Sequence, residues 1–483
     1  MSAPSRPLAL NALPVLTAAL LAACASPPPP ALPGAAPQAW SNAAALAQTA
    51  AAAAQAPAVS LRGWWKAFND PVLDALVDKA LARNLDLAQA AARFKQAQAL
   101  AGGEQTRFRP TLSANAKTLQ DTSATDTYVH ASLNMVWELG LFGEAESVSQ
   151  ASRASLFSAQ VRGQALRVTV VAEVVQRYLE LQVQANALRL QDEALALEQD
   201  ALRLDQARKE ARLSTSDEAE QIGIRAAQIR ATQASMRDAQ EVAARALATL
   251  LGEPSPDPAW KQLAAGSGPA SLRLAELPPD LLRTRPDIQT AEAGVLQAAA
   301  DLGIARSALY PRLYLGGSFL YAYNLTSNRR TSSGSEPALG PVIDIPLWDW
   351  GARQLRVEAN QHELDAALIG YRKAVLDGVS EVEVSLSSLA RTSERVAALE
   401  AACGGAERRL GTQATLQGLG LSSRFDRLDL QRQQLQLQNE LAAARHARST
   451  AFVALYKALG GAPLPEGWVD LPDMPGRGAG GRS

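Results

Sequence analysis

Few side chains in this sequence have the types and spacing that catalysis or metal binding requires. Three histidines, His130, His362 and His446, lie far apart and show no metal-ligand spacing. Beyond residue 24 there is a single thiol, Cys403, so no intrachain disulfide is expected. No phosphate loop of the GxxxxGK[ST] type occurs, and no nucleophile, base and orienting group come together. The sequence therefore predicts a protein that is not an enzyme and needs neither cofactor nor metal.

Cys24 is the one side chain whose setting predicts covalent chemistry. Arg6 and an apolar run over residues 8–21 have the order of a secretory signal, and the run is too short to span a bilayer. Leu21-Ala22-Ala23-Cys24 resembles the lipobox of bacterial lipoproteins, which implies cleavage before Cys24 and its modification by fatty acids such as palmitate. Ser26 implies, by the rule of that family, sorting to the outer membrane. An ordinary signal peptide with a chance cysteine is the alternative.

The overall charge and composition suit a helical body. A net charge of −1 over 483 residues gives no reason to expect nucleic acid as a partner. Aromatic residues make up 5% of the chain, and the alanine-rich sequence suits close packing of helices. We therefore expect long packed helices rather than one large globular core.

The chain contains an internal duplication. A shift of 208 positions, without a gap, places Gly143 on Gly351 and Leu251 on Leu459, with further matches between them. Residues 144–212 lack proline, and apolar positions recur every three and four residues, which predicts one helix of roughly 100 Å. A short break then starts a helix that runs back to a glycine and a proline. Each half is thus predicted to form an antiparallel helical hairpin.

The breaks between these helices are predicted to be turns at the hairpin tips. Thr215 with Glu218, and Ser423 with Asp426, have the spacing of a capping box at the start of each return helix. The residues assigned to the two tips are Leu213, Ser214, Thr215, Leu421, Ser422, Ser423 and Arg424.

A different periodicity precedes each long helix. Pro110 and Pro311 end the helical pattern, and apolar residues then alternate with polar ones, with aromatic residues near the strand ends. Period two over about ten residues is typical of membrane β-barrel strands. Half-buried strands of soluble proteins alternate too, but two isolated hairpins on such long helices would leave open sheet edges. Four strands cannot close a barrel, since closure begins at about eight, so the chain needs copies of itself.

Two stretches carry a resemblance to a known family. They are Trp64-Trp65-Lys66-Ala67-Phe68-Asn69-Asp70-Pro71, and residues 277–288 (LPPDLLRTRPDI) with Ala308-Leu309-Tyr310-Pro311. In this order, within a duplicated chain that has a lipobox, they are similar to the lipoprotein (NodT-like) branch of the TolC-like outer-membrane efflux proteins. That resemblance implies a mainly α fold with a membrane β-barrel, in which three chains form one barrel and a helical channel-tunnel beneath it.

The resemblance also implies a function and partners. The homotrimer would be the passive exit duct of a tripartite pump that exports small molecules, such as drugs, toxic compounds or metal ions. A periplasmic adaptor (membrane fusion) protein and an inner-membrane RND-type transporter would be its partners. The outer channel of a type I protein secretion system is an alternative with the same architecture. A lipid-anchored periplasmic coiled-coil scaffold without a pore is an alternative from another class.

Two carboxylates are candidates for a periplasmic gate. Phe425-Asp426-Arg427-Leu428-Asp429 is similar to the family stretch in which two acids, three residues apart, project into the entrance. Threefold symmetry would bring like carboxylates together and tend to raise their pKa. Two plainer readings stay open, because Asp426 also fits a helix cap and Asp429 could face an arginine.

Two residues depart from the family pattern. Gly140 stands where the family commonly has an acid, and Leu85 replaces a usual proline. Both positions lie at element ends, so local turns are affected rather than the fold.

The sequence also predicts where the segments and repeats of the chain begin and end. They are a signal peptide at 1–23, a lipidated tether at 24–59, a first repeat at 60–254 (strands 111–119 and 128–139, helices 144–212 and 216–251), a linker at 255–276, a second repeat at 277–462 (strands 312–325 and 338–347, helices 352–418 and 424–459) and a disordered tail at 463–483.

Overall fold

The computed structural model describes residues 61–120, 127–212, 216–263, 285–325 and 334–461, together with residues 32, 266, 268 and 269. Cys24 and the first-tip residues Leu213, Ser214 and Thr215 lie outside the described residues, as do the predicted tail and nearly all of the tether. The helices and strands are, in chain order, α1 (Pro71–Arg83), α2 (Leu85–Thr106), β1 (Thr111–Gln120), β2 (Thr127–Glu138), α3 (Glu144–Glu210), α4 (Ser216–Leu250), α5 (Pro286–Ser307), β3 (Arg312–Asn324), β4 (Gly334–Asp344), α6 (Ala352–Gly418) and α7 (Arg424–Ala458), with short 3-10 segments at Leu61–Phe68 and Pro258–Gln262.

The duplication extends to the backbone at fixed offsets. Both ends of α3 and α6, and both ends of α4 and α7, differ by 208 positions, as in 144 to 352. Both ends of α2 and α5 differ by 201 positions (85 to 286 and 106 to 307). The hairpins obey the same offsets, since Thr111 pairs with Val136 in the first and Arg312 pairs with Asp344 in the second. Equivalent positions in the two halves can therefore be assigned residue by residue.

The long helices α3 and α6 have 67 residues each, which at 1.5 Å per residue is about 100 Å. Each follows a glycine in the left-handed region, Gly143 at φ 81° and Gly351 at φ 82°, a conformation that costs glycine little because it has no Cβ. α3 packs antiparallel to α4, and α6 to α7. Among the described helices, none is both long enough and apolar enough to cross a membrane.

One antiparallel sheet in the order β1-β2-β3-β4 joins the two halves. The N–H of Leu139, just beyond β2, donates to the carbonyl of Leu313 at 3.2 Å, so odd-numbered residues of β3 bond to β2 and even-numbered ones to β4. Because β3 and β4 pair even with even, odd-numbered residues of β4 direct their backbone groups away from β3. Pro337 and Pro341 are such residues, and their missing N–H groups leave the ladder to β3 intact.

The fourth strand differs from its predicted range of 338–347. It runs over Gly334–Asp344 because β3 begins at Arg312, which pairs with Asp344. Residues 345–347 continue past the end of β3 and therefore find no partner strand in the described chain.

The main hydrophobic core lies where the short helices and the N-terminal 3-10 segment pack on the middle of the long helices. Trp64 stacks on Tyr456 with ring centroids 5.5 Å apart and meets Phe452 edge-on at 6.1 Å. The Tyr178 hydroxyl donates to Asp70 at 2.5 Å, and burial together with this hydrogen bond raises the pKa of Tyr178. The aromatic residues recognised near the start of the chain are thus core residues.

Equivalent caps tie each short helix to the end of a return helix. Asn84, the N-cap of α2, donates to the carbonyl of Leu250 at 2.9 Å. Arg285, the N-cap of α5, donates to the carbonyl of Ala458 and also binds Asp287 and Glu381 at 2.8 and 2.5 Å. Burial opposes the charge of Arg285, but these hydrogen bonds outweigh it and raise its pKa.

The two departures from the family pattern have local explanations. Gly140 has φ +56°, and a Cβ there would lie 2.5 Å from the ring of Phe108, so the glycine makes room for that ring. Leu85 is the first residue of α2 after the N-cap Asn84 and is 72% exposed. A first helical turn tolerates leucine as well as proline, because its N–H groups need no intrahelical partner.

Candidate functional site at the hairpin tips

The tip of the second hairpin is a tight turn between α6 and α7. Gly420 takes φ +75°, and the side chain of Gln413 donates to the hydroxyl of Ser422. Leu419 and Leu421 point into solvent, with Leu421 71% exposed. The residues predicted for this tip, Leu421, Ser422, Ser423 and Arg424, therefore share one surface at the far end of the helical shaft.

Asp426 forms the capping box predicted from its spacing. The N–H of Asp426 donates to the Ser423 hydroxyl at 3.1 Å, and the N–H of Ser423 donates to the Asp426 carboxylate at 3.0 Å. These hydrogen bonds lower the pKa of Asp426, and the one from the backbone N–H of Ser423 has the largest effect. In the single chain the shift is thus opposite to that expected from a ring of like charges.

Asp429 faces an arginine one helical turn further along. Arg432 donates to its carboxylate at 2.6 Å, yet the Asp429 side chain stays 68% exposed. The two aspartates therefore have different partners within the chain.

Beneath the tip lies a buried carboxylate held by two arginines. Glu198 of α3 is 3% exposed and accepts hydrogen bonds from Arg225 of α4 at 3.1 Å and from Arg432 of α7 at 2.7 and 3.0 Å. Burial opposes the charge of Arg432, but its bonds to Glu198 and Asp429 raise its pKa. This cluster joins the first hairpin to the second.

The end of α3 lies close to the second tip. The predicted first-tip residues Leu213, Ser214 and Thr215 are outside the described part of the chain, but Arg208, in the last turn of α3, lies over the ring of Phe425 at 4.8 Å. Arg208 also approaches Glu218 at 3.5 Å. The cation–π contact therefore connects the first hairpin to the second tip, and the ion pair joins α3 to α4 within the first hairpin.

Sequence reasoning missed Glu198, Arg225 and Arg432. Glu198 and Arg432 are 234 positions apart, and neither belongs to a motif. Their equivalents in the duplication, Ala406 and Ile224, are apolar, which is the one signal that marked these positions as different. Together these acids and arginines join the two hairpins of the chain near their tips. Within the described residues, no group of three or more histidines, cysteines or acids could hold a metal ion.

The chain is similar to known proteins over most of its length. The family model for outer membrane efflux proteins matches residues 76–253 and 277–461. The pyoverdine export outer membrane protein OpmQ of Pseudomonas aeruginosa PAO1 is 30% identical over 437 residues, which cover 85% of this chain and 89% of that one. Nodulation protein T of Rhizobium leguminosarum bv. viciae is 28% identical over 414 residues, covering 83% and 85%. The solved outer-membrane channel OprN superposes with a TM-score of 0.76 at 26% identity, covering 91% of this chain and 99% of that one.

Long antiparallel helical hairpins joined by a small antiparallel sheet define the fold of the TolC-like outer-membrane channels, which confirms the fold class predicted from the sequence. The chain belongs to the outer membrane efflux protein family, a family of channel proteins, and is an efflux channel of the outer membrane.

Proposed function

We propose that the protein works as a homotrimer that forms the passive exit duct of a tripartite efflux pump. The observation that carries this proposal is the four-stranded sheet, whose outer strands β1 and β4 each pair on one side only among the described residues. Three copies would supply about twelve strands, enough for closure. Joining β4 of each copy to β1 of the next would leave no open edge in the membrane.

The cargo is proposed to be small molecules. This rests on the relative named for pyoverdine export, which is 30% identical over most of both chains. A duct without its own energy source needs an inner-membrane transporter of the RND type and a periplasmic adaptor. The exposed Leu419 and Leu421 offer the adaptor an apolar contact at the tips, since buried apolar area contributes roughly 25 cal/mol per Å².

We propose two repeats, 60–254 and 277–462, in line with the matched ranges 76–253 and 277–461. The anchor is proposed to be Cys24, carrying acyl chains in the periplasmic leaflet of the outer membrane. Its support is the lipobox spacing. Labelling cells with radioactive palmitate should mark the wild-type protein and leave Cys24→Ala unlabelled, and equal labelling of both would remove the anchor from the proposal.

The gate is proposed to be formed by Asp426 and Asp429 around the entrance. The exposure of Asp429 and its place one turn below the tip support this role. In the closed state, Arg432 would partly neutralise Asp429.

The test of the channel is electrical. Protein purified from outer membranes should run as a trimer in light scattering and give single-channel steps in planar bilayers. Asp426→Ala and Asp429→Ala should raise the conductance several-fold if the carboxylates line the constriction, while Asp377→Ala, an exposed acid of α6 far from the tip, should not. A monomer, or a trimer without conductance in every variant, contradicts the proposal.

A further inference from the structure

The two long helices have unequal surroundings in the chain. α3 packs on α2 of its own half and on α5 of the other half. α6 packs on α5 of its own half, but among the described residues it has no comparable packing with α2, the first-half helix equivalent to α5. One flank of α6 is therefore open where the same flank of α3 is covered.

The open flank of α6 is apolar. Leu355, Ile369 and Leu376 are all more than half exposed. Their equivalents at the offset of 208 positions are Ser147, Val161 and Val168, and all three are buried in α3. Exposed apolar side chains at positions whose equivalents are buried in the duplicated helix indicate that this flank of α6 is also covered by another surface.

The covered flank of α3 shows what should lie there. Phe157 and Val161 of α3 cluster with Ala293 and Leu296 of α5. Nearer the sheet, Ser147 touches Gly303, where an added Cβ would lie 3.0 Å from the Cβ of Ser147. At the strand–helix junction, Phe142 stacks on Tyr310 with centroids 5.0 Å apart and ring planes 15° from parallel.

We propose that α6 of one subunit packs on α2 of the partner subunit in the geometry that α3 has on α5 within the chain. The proposal rests on the homotrimer proposed above and assigns its residue contacts. The offsets of 208 for α3 to α6 and 201 for α5 to α2 place Leu355 on Gly102 of the partner subunit, Asp365 beside Lys95 of the partner subunit, and Trp350 against Arg109 of the partner subunit.

Each of these pairs is chemically complementary, and each contains at least one residue that differs from its intrachain equivalent, whereas Gly102 matches its equivalent Gly303. Gly102 has open space where a Cβ would stand, which leaves room for the larger Leu355 in place of Ser147. The apolar Phe157 and Leu296 are replaced by an acid, Asp365, and a base, Lys95 of the partner subunit. In the Asp365–Lys95 pair both members change together, from two apolar residues to opposite charges.

The junction pair is complementary in the same way. Trp350 is 87% exposed and has φ +59°, close to the φ +55° of its equivalent Phe142, so the two rings leave the backbone in the same way. Tyr310 is replaced by Arg109, an exposed arginine. A guanidinium over an indole ring is a favourable cation–π contact, stronger with tryptophan than with other aromatic residues.

The pairing of the strands across the subunits follows from the same offsets. Leu139 donates to Leu313 within the chain at 3.2 Å, so Leu347 should donate to the carbonyl of Leu112 of the partner subunit. The same register sets Ile343 opposite Ala116 of the partner subunit. Leu347 and Ile343 are both exposed in the single chain.

Cysteine cross-linking tests the assignment in the full-length protein, in outer membranes, with Cys403→Ser as background. Leu355→Cys with Gly102→Cys should give covalently linked dimers and closed trimers on oxidation, because a small widening of the 3.0 Å Cβ separation of the intrachain pair brings the two Cβ atoms into the disulfide range of about 3.5–4.5 Å. Ser147→Cys with Gly303→Cys is the matched control. On oxidation it should form a disulfide within one chain, so two thiols are lost and the chain still migrates as a monomer. Leu355→Cys with Gly103→Cys, one residue further along α2, should not cross-link.

A charge exchange gives a second measurement that does not depend on oxidation. Asp365→Lys and Lys95→Asp should each lower the detergent temperature at which the trimer dissociates, and the double exchange should restore it. Asp377→Lys, on the same helix, should leave it unchanged. A conducting trimer without the Leu355–Gly102 cross-link and without restoration overturns the assigned contacts, whereas a protein that is monomeric in the membrane overturns the trimer itself.

Discussion

Glu198 of α3 and Arg432 of α7 form a two-pronged ion pair, with nitrogen–oxygen distances of 2.7 and 3.0 Å, that ties the two halves of the chain together below the hairpin tips. Glu198 is buried, and Arg225 approaches it from α4. The pair thus joins three helices at one carboxylate.

Removing that carboxylate should loosen the tip. Glu198→Ala leaves Arg225 and the partly buried Arg432 without their shared acceptor, which we expect to cost about 1–3 kcal/mol. The cost should appear as a lower melting temperature and as faster hydrogen exchange in the parts of α3 and α7 nearest the hairpin tips. Unchanged exchange there would contradict a structural role for the pair.

The duplication supplies a control for this prediction. Glu198→Ala combined with Arg432→Ile installs the residues found at the equivalent positions, Ala406 and Ile224. Because an apolar pair of similar shape can replace an ion pair with little loss, the double variant should be more stable than Glu198→Ala alone.

Arg432 and Asp429 should affect ion selectivity in opposite directions. Arg432→Ala removes the cation 2.6 Å from the Asp429 carboxylate, so reversal potentials in a salt gradient should become more cation-selective. Asp429→Ala should make them less so, because it removes an acid from the entrance. If Asp429→Ala leaves the reversal potential unchanged, Asp429 does not line the pore.

The glycine that replaces the usual family acid should be required by its neighbour. Gly140→Asp would place a Cβ against the Phe108 ring, and overpacking of this kind costs about 1–3 kcal/mol. Phe108→Ala in the same chain should remove the clash with the ring and recover part of the loss, as measured by thermal unfolding, while the contact with the Cβ of Ala145 at 2.7 Å stays. A Gly140→Asp variant as stable as wild type would show that the ring moves aside freely.

The cap at Asp426 should resist acid. Its folded pKa lies below that of an unfolded aspartate, which is about 3.9, so the cap contributes fully above that value and is lost as the pH falls through the lower folded pKa. Corrected hydrogen exchange of residues 423–430 should therefore be equal at pH 7 and pH 5. Exchange that rises already between pH 6 and 5 would mean that carboxylates meet in the trimer and raise the pKa.

Ser423→Ala and Asp426→Ala each remove one half of the capping box. Both should speed exchange in the first turn of α7 at every pH, whereas exchange in the middle of α7 should stay as in wild type. That pattern separates a cap from a general loss of stability.

The sequence by itself determined the elements and their repetition. Uninterrupted helical periodicity predicted α3 and α6, the aligned Gly143 and Gly351 precede them, and Ser423 with Asp426 marked the start of α7, because these features depend on neighbours within a few residues. The start of the fourth strand was predicted at residue 338, four residues too late. The range of this strand depends on its pairing with β3, which periodicity alone does not reveal.

Only the tertiary structure decided which charges meet and which surfaces stay open. Glu198 binds Arg432, which is 234 positions away, and Arg285 binds the end of α7. The flank of α6 that carries exposed apolar residues corresponds to a flank that is buried in α3. Such contacts depend on how the two halves pack, and helix periodicity is the same whether a flank meets its own chain or a second copy.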